Sequence, residues 1–168
     1  MKILVSACLL GEPCRYDGQG KTNESIQALG KEHVLIPFCP ETAGGLPVPR
    51  EPAELQNGSV LTRDGRNVTV EFLDGARKTL ECFRNNACDC AILKERSPSC
   101  GSRWIYDGTF TGTVIRGEGT ACRMLRQSGF PVCSEETLDQ LQGMEKNAGR
   151  PASGSVQLAA GIKNKGMD

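Results

Sequence analysis

The chain has 168 residues, with 20 basic and 20 acidic side chains and a formal net charge of zero at pH 7. That length suits one domain with a core that needs no staples, and charge so balanced and unclustered excludes capture of a nucleic acid polymer by electrostatics. Aromatic residues make up only 5%, too few for a platform of stacked bases, and no stretch approaches the ~18 apolar residues of a membrane span.

Ile3–Ser6 is a short, β-branched apolar run that ends at Cys8-Leu9-Leu10-Gly11, the pattern of a buried strand entering a loop. Even extended to Ala7, the run is too short for a secretory segment, so the reading is of a soluble, cytoplasmic protein. Asn23 is placed to cap a helix over Glu24–Leu29 that Gly30 closes. His33–Cys39 reads as a second buried strand, and the four prolines and two glycines of Pro40–Pro52 exclude regular structure there. Val68, Phe72, Ala76, Leu80 and Phe83 recur at helical spacing and predict the longest helix, Val68–Asn86, with Asn67 or Thr69 as its cap and Gly75 inside it. Cys88–Leu93 is a third buried strand, running into Lys94–Gly101. The turn-like pairs Asp107-Gly108 and Arg116-Gly117 mark 104–119 as an irregular excursion. A helix follows over Gly119–Gln127, ended by Gly129, then a short strand, Phe130–Ser134, and a helical turn or two in Glu135–Gln142. From Gly143 the sequence is polar, glycine-rich and aperiodic. The expected organisation is one α/β domain over 1–142 and a flexible tail over 143–168.

Strands that alternate with helices predict an α/β fold, a small and mainly parallel sheet flanked by helices in Rossmann-like layers. Right-handed crossovers then bring the loops after Ser6, Phe38 and Leu93 to one edge of the sheet, where open α/β sheets bind ligands.

Nine cysteines are the outstanding feature of the composition: Cys8, Cys14, Cys39, Cys82, Cys88, Cys90, Cys100, Cys122 and Cys133. An odd count without an export signal argues against a disulfide framework. Cys8 and Cys14 share one of the converging loops, and Cys100 lies in another, between Ser99 and Gly101. Thiolates suit iron–sulfur clusters and zinc. No C-x-x-C pair occurs and the sole histidine, His33, begins a strand, so the structural zinc template fits badly. By spacing alone, any of these cysteines reads equally well as a buried small hydrophobe. Cys82, near the long helix's apolar face, Cys122 on a helix, and Cys39 and Cys133 at strand ends are assigned to the core. Cys88 and Cys90 form a C-x-C expected on one face of a strand.

Three segments, SACLLGEPCRYDG (6–18), FCPETAGGLPVPR (38–50) and AILKERSPSCG (91–101) followed by IYDGTF (105–110), together resemble one family whose characterised members are iron–sulfur-dependent thiouracil desulfidases. The resemblance spans roughly Met1 to Glu135. It implies a 4Fe–4S cluster on Cys8, Cys14 and Cys100, with a fourth iron that has no protein ligand and is open to the sulfur of a small thiolated substrate. Cys39, Cys88 and Cys90 are not needed in that scheme. It implies further that a thiocarbonyl such as that of 2-thiouracil becomes a carbonyl, with release of sulfide, through water activated by Glu41. Ser97 would steady the intermediate. Ser99, Arg15 and Lys94 are the expected substrate contacts, with Arg50 and Arg96 weaker candidates. Loop residues of these types otherwise serve as local caps and surface ion pairs. The alternative is a non-enzymatic sulfur or metal carrier using the same thiols, which has no need of Glu41. A thiol–disulfide oxidoreductase ranks lower, because no C-x-x-C begins a helix.

Overall fold

The computed structural model describes residues 1–148. Strand β1 (Lys2–Ser6) runs directly into one 3-10 turn, Ala7–Leu10, which Gly11 ends with φ 94°, in the left-handed region that glycine enters at no cost. Helix α1 (Glu24–Leu29) starts at Asn23, whose side-chain oxygen accepts the Ile26 N–H at 3.1 Å. Strand β2 (Val34–Phe38) ends at Cys39, and Pro40 opens the one-turn helix α2 (Pro40–Ala43), where its missing N–H is not required. A hairpin of β3 (Ala53–Gln56) and β4 (Ser59–Thr62) precedes α3 (Thr69–Asn85). Strand β5 (Cys90–Leu93), the hairpin of β6 (Trp104–Tyr106) and β7 (Val114–Arg116), helix α4 (Thr120–Gln127), strand β8 (Val132–Ser134) and helix α5 (Leu141–Asn147) follow.

The main sheet is parallel, in the order β2-β1-β5-β8. Alternate residues of β1 serve its two faces. Ile3 and Val5 pack with Ile26 of α1, Ile92 and Leu141 of α5, whereas Leu4 packs with Leu93, Phe83 of α3 and Leu125 of α4. Burying each such side chain stabilises the fold by roughly 1.5–3 kcal/mol. The layering is the one expected from the alternation of elements. Among the described residues no helix is long and apolar enough to cross a membrane.

Several details depart from the sequence reading. The segment 33–39 was expected to be buried, but β2 is an edge strand with Val34 55% exposed. An edge is where Pro37, which has no N–H to donate, is tolerated. Pro40–Pro52 is not wholly irregular, since α2 occupies its start. The excursion at 104–119 contains the β6–β7 ladder, whose three-residue strands are too short to display alternation. Cys88 lies before β5 and packs with Phe83 and Leu125, while Cys90 packs on the opposite face with Ile3, so the two do not share a face. Strand alternation applies only from Cys90 onward. Helix α5 continues through Gly143, and residues 149–168 of the expected tail lie outside the described residues.

Gly75 inside α3 has a packing reason. A Cβ there would stand 2.0 Å from the Pro40 carbonyl oxygen, and one on Gly44 would stand 2.1 Å from the Glu71 carbonyl oxygen. The two glycines let α2 lie directly against the backbone of α3, and Lys78 Nζ donates to the Ala43 carbonyl at 3.0 Å to close the contact. This seat orients Glu41.

Candidate active site

The chain winds from β1 to β2 on one side and then crosses to β5 on the other, so the winding reverses between β1 and β5. The carboxyl ends of these strands flank the crevice such a reversal opens. Two hydrogen bonds draw its loops together. The Lys94 N–H donates to Ser6 Oγ at 2.9 Å, and the Arg50 N–H donates to the Tyr16 carbonyl at 2.8 Å. The result is a cavity of about 300 Å³ lined by all three loops and by residues of both hairpins.

Four free thiols line it: Cys8, Cys14, Cys39 and Cys100. The first loop curls so that its own backbone closes on the 3-10 turn, with the Gly11 and Lys21 N–H groups both donating to the Cys8 carbonyl at 3.1 and 2.8 Å. Cys100 is only 4% exposed, and burial pushes its thiol up to about 12 against the lowering effect of hydrogen bonds from Ser6 and Ser99. The Cys39 hydrogen bond lowers the pKa of Cys14, but the hydrogen bond with Cys8, burial and the charges of Cys8 and Glu12 carry it to about 11. The Cys39 thiol is driven up by its hydrogen bond with Cys14 and then by burial. The Cys14, Cys39 and Cys100 thiols therefore stay protonated unaided, and a positive centre beside them would reverse the balance. Among the described residues no three His, Cys, Asp or Glu side chains close on one point as ligands of a single ion would. Soft donors spaced around a cavity fit a multi-iron cluster better than one ion. The assignment of Cys39 to the core is corrected here, because its thiol faces the same cavity. Cys122 and Cys133 are core residues, as read.

Glu41 is held at both oxygens. Oε1 accepts from Arg50 Nε at 3.3 Å and pairs with Nη2 at 3.2 Å, and Oε2 accepts from Ser99 Oγ at 2.8 Å. Arg50 Nη2 also donates to the Cys14 carbonyl at 3.0 Å, which ties the carboxylate to the cysteine loop. Ser97 Oγ accepts the N–H groups of Ser99 and Cys100 at 3.2 and 3.1 Å and lies 3.0 Å from Ser99 Oγ. With the Ser99 proton on its shorter bond, 2.8 Å to Glu41 against 3.6 Å to Cys100 Sγ, Ser97 is the donor between the two hydroxyls. A hydrogen-bonded line therefore runs from the Cys100 backbone through Ser97 and Ser99 to Glu41.

Residues 3–137 match the family described as 2-thiouracil desulfurase. The chain belongs to the 2-thiouracil desulfurase family. It is 49% identical to the solved structure of a 4Fe–4S-dependent thiouracil desulfidase, TudS, with a TM-score of 0.78 over 86% of this chain and 95% of that one. It is also 42% identical over 149 residues to the uncharacterized protein YbbK of Bacillus subtilis (strain 168), covering 83% of this chain and 99% of the relative.

Around this desulfurase-family centre the cationic candidates differ in their ties. Lys94 Nζ donates to the Glu95 carbonyl at 3.0 Å and lines the cavity. Arg15 also lines it, 3.8 Å from Asp17 and 5.8 Å above the Tyr16 ring. Arg96 lines the cavity as well, but its guanidinium is ion-paired with Glu136, which lies outside the lining. Sequence reasoning missed three residues. Glu95 is fully buried and accepts the N–H groups of Ser102, Arg103 and Trp104 at 2.7, 2.8 and 3.0 Å, fixing the loop that carries Ser97 and Cys100. Glu54 on β3 accepts the N–H groups of Gly108 and Phe110, both at 3.1 Å, and fastens one hairpin to the other. Arg63, just past β4, stands 5.8 Å over the Phe110 ring at the cavity wall. A glutamate between a strand and a Ser-Pro turn was the only sign of Glu95. Nothing local marks Glu54 or Arg63.

Proposed function

We propose that the protein converts the C=S of a small thiolated heterocycle such as 2-thiouracil to C=O, with release of sulfide, using a 4Fe–4S cluster held by Cys8, Cys14 and Cys100. The observation that carries this reading is the fixed carboxylate of Glu41 in the same cavity as the thiols, because a sulfur or metal carrier needs no acid–base group there. When bound, the cluster supplies an iron without a protein ligand, a soft Lewis acid for a thiocarbonyl sulfur. A carboxylate accepts about four hydrogen bonds. Arg50 Nε and Ser99 Oγ donate two to Glu41, Arg50 Nη2 adds an ion pair at Oε1, and a free acceptor position on Oε2 is the one for a water. Glu41 takes the proton of that water as its oxygen adds to the substrate carbon. Ser99 and Arg50 orient the carboxylate, and Ser97 passes a hydrogen bond along the same line while holding the Cys100 backbone. Lys94 and Arg15 contact the polar edge of the substrate from the cavity wall.

The test is anaerobic loading with iron and sulfide, then 2-thiouracil, with uracil and sulfide both measured. Turnover that disappears in Glu41→Gln while the iron content stays unchanged supports the mechanism. Sulfur capture without uracil formation favours the carrier, and failure to load iron removes the cluster.

A further inference from the structure

The cavity holds one thiol more than a three-thiolate cluster requires, and the surplus is not spread evenly. Cys39 Sγ donates to the Cys14 carbonyl oxygen at 3.9 Å, and both cysteines line the same cavity. They come from segments of different exposure. Cys14 follows the exposed run Gly11–Pro13 on the outer loop. Cys39 sits at the junction of β2 and α2, where its carbonyl accepts the Ala43 N–H at 3.1 Å and the Thr42 hydroxyl at 3.3 Å. Each iron of a 4Fe–4S cluster takes three sulfides and one further ligand, so two adjacent thiols at one corner compete for a single position.

We propose that Cys39 is an alternate ligand for the iron held by Cys14, replacing it when the outer loop moves away. The inference rests on the cluster reading above. In the exchange the bond from iron to the Cys14 sulfur breaks, the bond to the Cys39 sulfur forms, and the proton leaving Cys39 goes to Cys14. Charge is conserved and no oxidant or reductant takes part. The cluster thereby survives loss of its most exposed ligand, with the corner passed to a thiol anchored in the scaffold.

The experiment loads wild type, Cys14→Ala, Cys39→Ala and the double variant anaerobically with iron and sulfide, then measures iron and acid-labile sulfide per chain after desalting. Circular-dichroism melts check folding, and serine versions replace any alanine variant that has lost its transition. The expected result is that each single variant keeps at least about half of the wild-type iron and the double variant keeps below about one-tenth, as for a site whose donors are removed together. Alkylation with iodoacetamide followed by mass spectrometry gives an independent readout. Cys39 should be labelled in Cys14→Ala stripped of iron by a chelator and protected in loaded Cys14→Ala. A folded single variant as empty as the double, or Cys39 still alkylated in loaded Cys14→Ala, overturns the alternate ligand alone. A wild type that takes up no iron overturns the cluster reading and this inference with it.

Discussion

Replacing Gly75 with alanine sets two physical effects against each other. Alanine favours a helix over glycine by about 1 kcal/mol, so propensity alone makes Gly75→Ala stabilising in the 17-residue α3. Packing demands the reverse. The added Cβ would lie 2.0 Å from the Pro40 carbonyl oxygen and 2.9 Å from its carbon, where a comfortable carbon–oxygen approach is roughly 3.3–3.6 Å. Both partners are backbone, so no side chain can rotate aside, and α2 must withdraw by at least about 1 Å. Overpacking of this kind costs about 1–3 kcal/mol, leaving a net loss on the order of 1 kcal/mol and a Tm lowered by roughly 2–4 °C. The functional effect is larger, because Glu41 rides on α2 one residue after Pro40. A displacement near 1 Å at a reacting group costs on the order of 100-fold in rate. The assay pairs a thermal melt with the initial rate of uracil formation, and iron content serves as the control. A lower Tm with a strongly reduced rate and intact iron is expected. A higher Tm with an unchanged rate would refute the argument that the glycine contact positions the carboxylate.

Glu41→Gln keeps the shape but not the base, and turnover should fall by roughly 100- to 10,000-fold, with iron loading as the unaffected companion measurement. Ser97→Ala and Ser99→Ala should separate. Ser97→Ala frees two N–H groups at Ser99 and Cys100 and should speed loss of iron to a chelator, whereas Ser99→Ala should slow turnover at unchanged iron retention. Burial raises the Glu95 pKa, but hydrogen bonds from the Arg103 and Trp104 backbone and from Ser134 and Ser102 outweigh it, leaving the carboxyl below its usual range. A depressed carboxyl stabilises the fold above its unfolded pKa, about 4.3 for glutamate, and that contribution is lost as pH falls through the folded value. Glu95→Gln should therefore melt well below wild type at pH 7, by about 1.5–3 kcal/mol for charged hydrogen bonds, with the gap closing below pH ~4. A gap independent of pH would show that the ionised form is not what the loop requires.

How much was legible depended on the range of the interaction involved. Short continuous apolar runs announced β1 and β5, which are buried on both faces, and the spacing from Phe72 to Phe83 announced α3, because burial on one helix face leaves its period in the sequence. The hairpins left no such trace. Strands of three or four residues carry too few alternations, and their stability comes from Glu54 reaching across to the Gly108 and Phe110 backbone. Glu95 looked like an ordinary loop charge until the fold surrounded it with N–H groups.

By itself the sequence determined the parallel α/β layering, the three loops that meet at one sheet edge, and through its motifs the family. These are written in local periodicity and in contiguous residues, which no distant contact has to complete. Only the tertiary structure decided that Cys39 stands beside Cys14 rather than in the core, that Ser99 is the hydroxyl bonded to Glu41, and that Gly75 is the seat of α2. Each of those depends on atoms far apart in the chain brought within a few ångströms. Such distances are set by how the elements pack, and the composition of any one segment does not contain them.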